Sequence, residues 1–293
     1  MRSPIRVLDE DIISSLLRIA PEKEQELLDF RGQYDPEVLF FDKKGFSFSV
    51  NTEDNQIRLP TQSLEFLWCA SYVFYLIYKK YTDCQLSGES EQFDLHGDSE
   101  LRSGMKLYHW SISNLSSPSS GEWVDEAARP AQSNSNPTEY ELIADELFLS
   151  AIAWILHHEI AHIYNKHPNV PCTDAESREQ EREADKSATS WILGEESCPK
   201  KLSKRGMGIA IATLVITTQD LLSGEFKETT HPKSFERLYD ALDGHFDNDH
   251  VVYAFSVIIL QVHMVLAGQH IDLSEDIPWK ELFTNCLIQL SRT

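Results

Sequence analysis

The sequence predicts a mainly α fold (α+β) with one small antiparallel β-meander near the N-terminus. Three observations carry that expectation. From about residue 138 onward almost every stretch places apolar residues at helical spacing. Two short β-rich runs, EVLFF and GFSFSV, stand back to back near residue 40, with NQIRLP after them. A chain of 293 residues with 41% apolar and 25% charged positions can bury a sizeable core.

Taken in order, residues 1–33 read as helix broken by Pro21, with APEKEQELLDF as a fair helix start. The meander follows, with DKKG between its first two strands and Gly45 supplying the turn. Residues 63–81, SLEFLWCASYVFYLIYKKY, are apolar enough for a buried helix. Residues 83–100 are acidic and polar, and residues 111–137 are rich in Ser, Asn and Pro, so both read as loops. Helices are then expected at about 138–166, 174–193, 201–222, 233–242, 249–268 and 278–291. The organisation is therefore an N-terminal helix, β-meander and helix region (1–100), a polar loop (101–137) and a helical core (138–293). The most apolar run, 251–268, carries Gln261 and His263 and barely reaches spanning length, so a buried core helix is expected and no integral membrane span.

Composition narrows the partners. Lys and Arg number 26 against 47 Asp and Glu, a net charge of −21, which argues against nucleic acid because phosphate binding needs a basic footprint. The cysteines, Cys69, Cys84, Cys172, Cys198 and Cys286, are odd in number and form no CxxC pair, so neither a disulfide framework nor a cysteine-based metal site is expected. Such usage fits a reducing cytoplasm. The first 25 residues lack a signal-peptide layout, because acids interrupt the apolar stretch.

The chemistry concentrates after Thr138. Thr138-Glu139-Tyr140-Glu141 is a capping-box pattern, and the apolar stripe Ile143, Leu147, Ala151, Trp154, Ile155 runs on into His158 and His162. His158-Glu159-Ile160-Ala161-His162 is an HExxH pattern. Two His four apart lie one turn above each other and can meet one metal, and zinc is the expected ion. Glu159 stands about 100° round from His158, where it can act as general base without ligating.

A catalytic zinc wants a third protein ligand and an open position. The metzincin continuation fails, since positions 165 and 168 are Asn and Pro. The better candidate is Glu181-Arg182-Glu183-Ala184-Asp185, on a helix opened by Thr173-Asp174-Ala175-Glu176. Glu181 and Asp185 share a face, so Glu181 is the expected third ligand, Asp185 the outer acceptor that fixes a ligand tautomer, and Glu183 points away. The competing reading of this run is a solvated charged face. A further element is Thr230-His231-Pro232 with Arg237. His231 at a helix start suits donation to a developing oxyanion, and Arg237 suits a substrate carboxylate or backbone. His157 and His167 read as a flank and a helix-end cation.

HExxH, then ExEAD, then THP with a downstream Arg resembles the gluzincin metallopeptidases. More closely, MRSPI, IAPEKEQ, SLEFLW, AIAWILHHEI, EREAD, WILG, RGMGIA and THPKSFERLY resemble the Lit phage-exclusion peptidases of enteric bacteria. The resemblance implies a gluzincin-like helical core and a cytoplasmic zinc endopeptidase with one Zn2+ per chain, latent until phage infection. It implies host elongation factor Tu as protein substrate and a peptide of the phage major capsid protein as activator. It places the family's metal and catalytic pattern on His158, Glu159, His162 and Glu181. Two other readings stand beside it: an infection-sensing binding module on a protease-like fold without catalysis, and a peptidase that cleaves a transcriptional repressor. Residues 111–137 are a candidate lid or docking surface for the activator.

Overall fold

The computed structural model describes residues 3–87, 94–95, 97–170, 173–194, 196–226, 228, 230–269 and 277–292. Among them the chain is mainly helical with one small sheet. Helices α1 (Asp9–Arg18) and α2 (Glu24–Tyr34) are separated at Pro21, where a short 3-10 turn replaces the α-helix. Strands β1 (Glu37–Phe41), β2 (Ser49–Asn51) and β3 (Gln56–Pro60) follow. Then come α3 (Thr61–Ser87), α4 (Ser99–Asn114), α5 (Glu139–Tyr164), α6 (Asp174–Leu193), α7 (Pro199–Ser223), α8 (Ser234–Leu242), α9 (Val251–Leu266) and α10 (Trp279–Leu290).

The sheet is not the antiparallel meander that the sequence suggests. Its order is β1-β3-β2, with β1 parallel and β2 antiparallel to β3. The reason lies at the start of α3. The buried side chains of Gln62 and Ser63 accept from the Lys43 and Ser47 backbone N–H groups, at 3.0 and 3.1 Å. Gly45, at φ 87°, donates its N–H to the Leu115 carbonyl at 2.7 Å. Phe46 packs edge-on against Phe66, ring centroids 5.3 Å apart. Those bonds draw the first half of GFSFSV off the sheet and onto α3, so only its end pairs with β3, and β2 becomes an edge strand.

Residues 99–114, inside the stretch expected to be acidic loop and polar loop, form α4. Asp98 caps it by accepting from Glu100 and Leu101 N–H, and Leu101, Met105 and Tyr108 are buried along it. The polar run after it is pinned rather than loose. Buried Glu65 accepts from Ser120 Oγ (2.5 Å) and Asn114 Nδ2 (2.6 Å), Ala131 N–H donates to Asp145 (2.9 Å), and Trp123 packs on Trp68 and Trp110. Part of the acidic stretch, residues 88–93 and 96, lies outside the described residues.

α5 is the central element, packing against α1, α3, α6 and α7. It is buried nearly all round from Ala144 to Ala161, as expected of a helix apolar on every face. The crossing with α7 is close. A Cβ added at Gly208 would lie 2.5 Å from Ser150 Cβ and 2.8 Å from the Ser150 carbonyl carbon. Gly208→Ala should therefore lower stability by about 1–3 kcal/mol through overpacking, although Ala in an unhindered helix interior gains about 1 kcal/mol over Gly. The urea midpoint reads this directly, and an unchanged or raised midpoint would refute the close crossing.

By length and composition α7 could cross a membrane, but 72% of its apolar window is buried inside the protein. The run at 251–268 forms the shorter α9, buried from Val252 to Leu260 as a core helix. Among the described residues no disulfide forms, and Cys172 lies outside them.

Candidate metal centre

α5 begins with the capping box that its sequence announces: Thr138 Oγ1 accepts from Glu141 N–H at 3.2 Å, and Glu141 accepts from Thr138 N–H at 2.8 Å. Its far end carries His158, Glu159 and His162, all buried or nearly so. Thr173 caps α6 by accepting from Glu176 N–H, and α6 packs along α5. That packing carries Glu181 and Asp185 to the histidines.

The three candidate ligand groups converge. His158 Nε2 lies 3.1 Å from His162 Nε2 and 3.5 Å from Glu181 Oε2, and His162 Nε2 lies 3.6 Å from Glu181 Oε1. One ligand atom from each residue falls within 4.8 Å of the others. Ligand atoms bonded tetrahedrally at about 2.0–2.1 Å stand about 3.3 Å apart, so the triangle has the size a zinc site needs. The donor set fits as well. His158 Nδ1 lies 2.8 Å from Asp185 Oδ1. A carboxylate only accepts, so that nitrogen carries a hydrogen and Nε2 is the atom left to ligate a cation. Two imidazoles and a carboxylate turned inward on one point call for a cation.

Electrostatics agree. Burial opposes charge on His158, but the bonds to Asp185 and Glu181 outweigh it and push its pKa up to about 10. Burial, reinforced by the His158 charge, pulls His162 down to about 3. Burial works against the Glu181 carboxylate, yet the His158 bond and the charges of His158, Arg237 and His231 hold it well below the ordinary range. The buried carboxylates beside the two rings thus favour positive charge at this point. Glu159 touches the same cleft, and burial pushes its carboxyl up to about 7, where it can take and release a proton near neutrality.

The cleft over these groups holds ≈ 580 Å³. Its lining includes Phe46–Val50 and Thr52, and Ala212, Ile216, Gln219 and Asp220 of α7. No residue of 111–137 lines the cleft.

The other residues singled out in the sequence have the following places. Arg237, expected to bind substrate, is mostly buried and pairs with Asp185: Nε and one terminal nitrogen lie 2.7 Å from its two oxygens, with Glu181 3.6 Å away. The two parallel bonds brace Asp185, and Arg237 also lines the cleft. His231 lies at the rim, 56% exposed, with Nε2 3.6 Å from Glu181 Oε1; α8 starts only at Ser234, so His231 precedes the helix instead of opening it. His167, expected at the helix end, lies beyond α5, which stops at Tyr164. It is buried, its Nδ1 is 2.8 Å from His162 Nδ1, and its Nε2 is 3.1 Å from Glu183 Oε2. Glu183 therefore does not simply point away. His157, the flank, is buried against the Leu16 carbonyl and stacked on Trp191. No spacing rule signals His167, whose place depends on a tight turn after α5.

A family model described as Peptidase U49 matches residues 57–256, a span that holds His158, Glu159, His162, Glu181, Asp185, His231 and Arg237 but not the cleft wall at 46–52. A protein of Escherichia coli (strain K12) described as Cell death peptidase is 35% identical over 283 residues, covering 94% of this chain and 93% of its own length. No solved structure matches. On the family match and that near full-length likeness, the chain belongs to the peptidase U49 family.

Proposed function

We propose that this peptidase is a zinc-dependent endopeptidase of phage exclusion, active in the cytoplasm. The observation that carries the zinc reading is the convergence of His158, His162 and Glu181 on one point, with Glu159 beside them in an open cleft. A bound zinc would supply Lewis-acid activation of water and of the scissile carbonyl. Glu159 takes the proton from the attacking water and passes it to the leaving amine nitrogen. His231, at the rim, donates to the oxygen that gains charge. Asp185, braced by Arg237, keeps His158 in the tautomer with Nε2 free.

A protein substrate suits the cleft wall. β2 pairs with β3 alone among the described residues and contributes Ser49 and Val50 to the wall. An extended substrate segment can add to such an edge through backbone bonds. Elongation factor Tu as substrate and a capsid peptide as activator rest on the sequence resemblance to the Lit peptidases; the relative's description as a cell death peptidase is in keeping with an outcome that kills the host. The test is to express the wild type and Glu159→Gln in bacteria, infect with phage and sequence new protein N-termini. A neo-terminus in elongation factor Tu, present only with the wild type and only after infection, is expected. A neo-terminus in a transcriptional repressor and none in elongation factor Tu would replace the substrate and keep the chemistry.

A further inference from the structure

We propose that His167 is a positioning residue for His162, and that it acts by fixing which ring nitrogen of His162 faces the cleft. The inference rests on the reading of His158, His162 and Glu181 as metal ligands.

The turn after α5 makes the arrangement possible. Lys166 adopts the left-handed conformation, φ 56°, and His167 N–H donates to the His162 carbonyl at 3.0 Å. The chain thereby folds back on its own last turn, and the two rings meet edge to face with centroids 4.9 Å apart. The Nδ1 to Nδ1 contact is 2.8 Å, so one ring donates and the other accepts.

The outer partner decides which. His167 Nε2 faces Glu183 Oε2 at 3.1 Å, and a carboxylate only accepts, so His167 carries its hydrogen on Nε2. With that hydrogen held on Nε2, His167 Nδ1 faces His162 Nδ1 as the acceptor of the pair. His162 must donate from its own Nδ1, which leaves His162 Nε2 bare and turned toward His158 Nε2 and Glu181. The result matches that at His158, where Asp185 does the same directly. His162 reaches its carboxylate through one more ring.

The second ring also has a fixed seat. Thr52 Oγ1 donates to the His167 carbonyl at 2.8 Å, Thr52 N–H donates to Asn169 Oδ1 at 2.9 Å, and Asn169 Nδ2 donates to Asn51 Oδ1 at 2.7 Å. The β2–β3 turn thus clamps the backbone that bears His167. Without the His167 acceptor, His162 is free to hold its hydrogen on Nε2, where it would occupy the place of the ion.

Zinc affinity of the purified full-length protein, measured by competition with a chromophoric chelator, tests this. His167→Ala should bind zinc about 10–100-fold more weakly than wild type, the loss typical of removing an outer partner of a ligand. His167→Asn, whose Oδ1 stands near the old Nδ1 and can accept from His162, should return to within about threefold of wild type. The visible absorption of the cobalt(II)-loaded protein should change in the Ala variant and not in the Asn variant. Thermal unfolding of the metal-free proteins reports folding; should the Ala variant fail to fold, His167→Leu fills the space without an acceptor and takes its place. Wild-type affinity in the Ala or Leu variant overturns the inference, as does an Asn variant as weak as Leu, which would mean packing alone. A wild type that takes up no zinc overturns the ligand reading and this inference together, whereas normal uptake with an indifferent His167 overturns this one only.

Discussion

Glu159→Gln should keep its fold and its zinc while turnover falls by about 10²–10⁴-fold, the usual contribution of a positioned acid–base group. The substitution is nearly isosteric, and Glu159 belongs to no edge of the His158–His162–Glu181 triangle, so metal uptake has no reason to change. What disappears is a carboxyl that burial has tuned to about 7. An amide neither takes the proton from water nor returns it to the leaving nitrogen. In infected cells the same change should relieve killing. Zinc content, neo-terminus yield and survival measured side by side check the claim; persistent killing by the variant would point to harm through binding and favour the infection-sensing module.

His162→Ala and Glu181→Ala should each strip zinc from the purified protein. Each removes one of three inward-facing groups, and the remaining pair cannot close the triangle of 3.1, 3.5 and 3.6 Å contacts. The loss should exceed the roughly 10–100-fold expected for Asp185→Ala, which touches the site only through His158 Nδ1. Glu183→Ala should leave zinc in place, weakened less than by Asp185→Ala, because its carboxylate is 55% exposed and water can take over its bond to His167. Metal analysis after dialysis separates these outcomes. Full retention in Glu181→Ala with loss in Glu183→Ala would shift the ligand register by two residues.

The helices from α5 onward were legible from their apolar spacing, with side-chain caps agreeing in α5 and α6, and tertiary packing merely uses what local sequence already prefers. The sheet was less legible. GFSFSV has strand composition throughout, but Gln62 and Ser63 take the backbone bonds that a meander would have used. α4 hid behind its serines, although Asp98 as cap and Leu101, Met105 and Tyr108 at helical spacing were readable. At the site, spacing brings out the groups that one helix presents to one point: His158 with His162, and Glu181 with Asp185. It cannot say what a long side chain meets across the fold. Arg237 turned out to serve Asp185, 52 positions away in sequence, and His167 turned back on His162 through a left-handed residue that no pattern announces.

The burial of α5 has a consequence for how the site breathes. His158, Glu159 and His162 hang on the most enclosed helix of the protein, whose amides should exchange with solvent only when the whole domain opens. Glu181 hangs on α6, which buries one narrow stripe, Ser177, Ala184, Asp185, Ala188, Thr189, Ile192 and Leu193, and leaves the rest to water. Amides on the exposed face of such a helix should exchange with solvent faster than those of α5. The centre is thus a joint between a slow half and a fast half. Anything that binds across the joint lends the fast half the protection of the slow one, and anything that holds α6 off the core silences the peptidase without unfolding it.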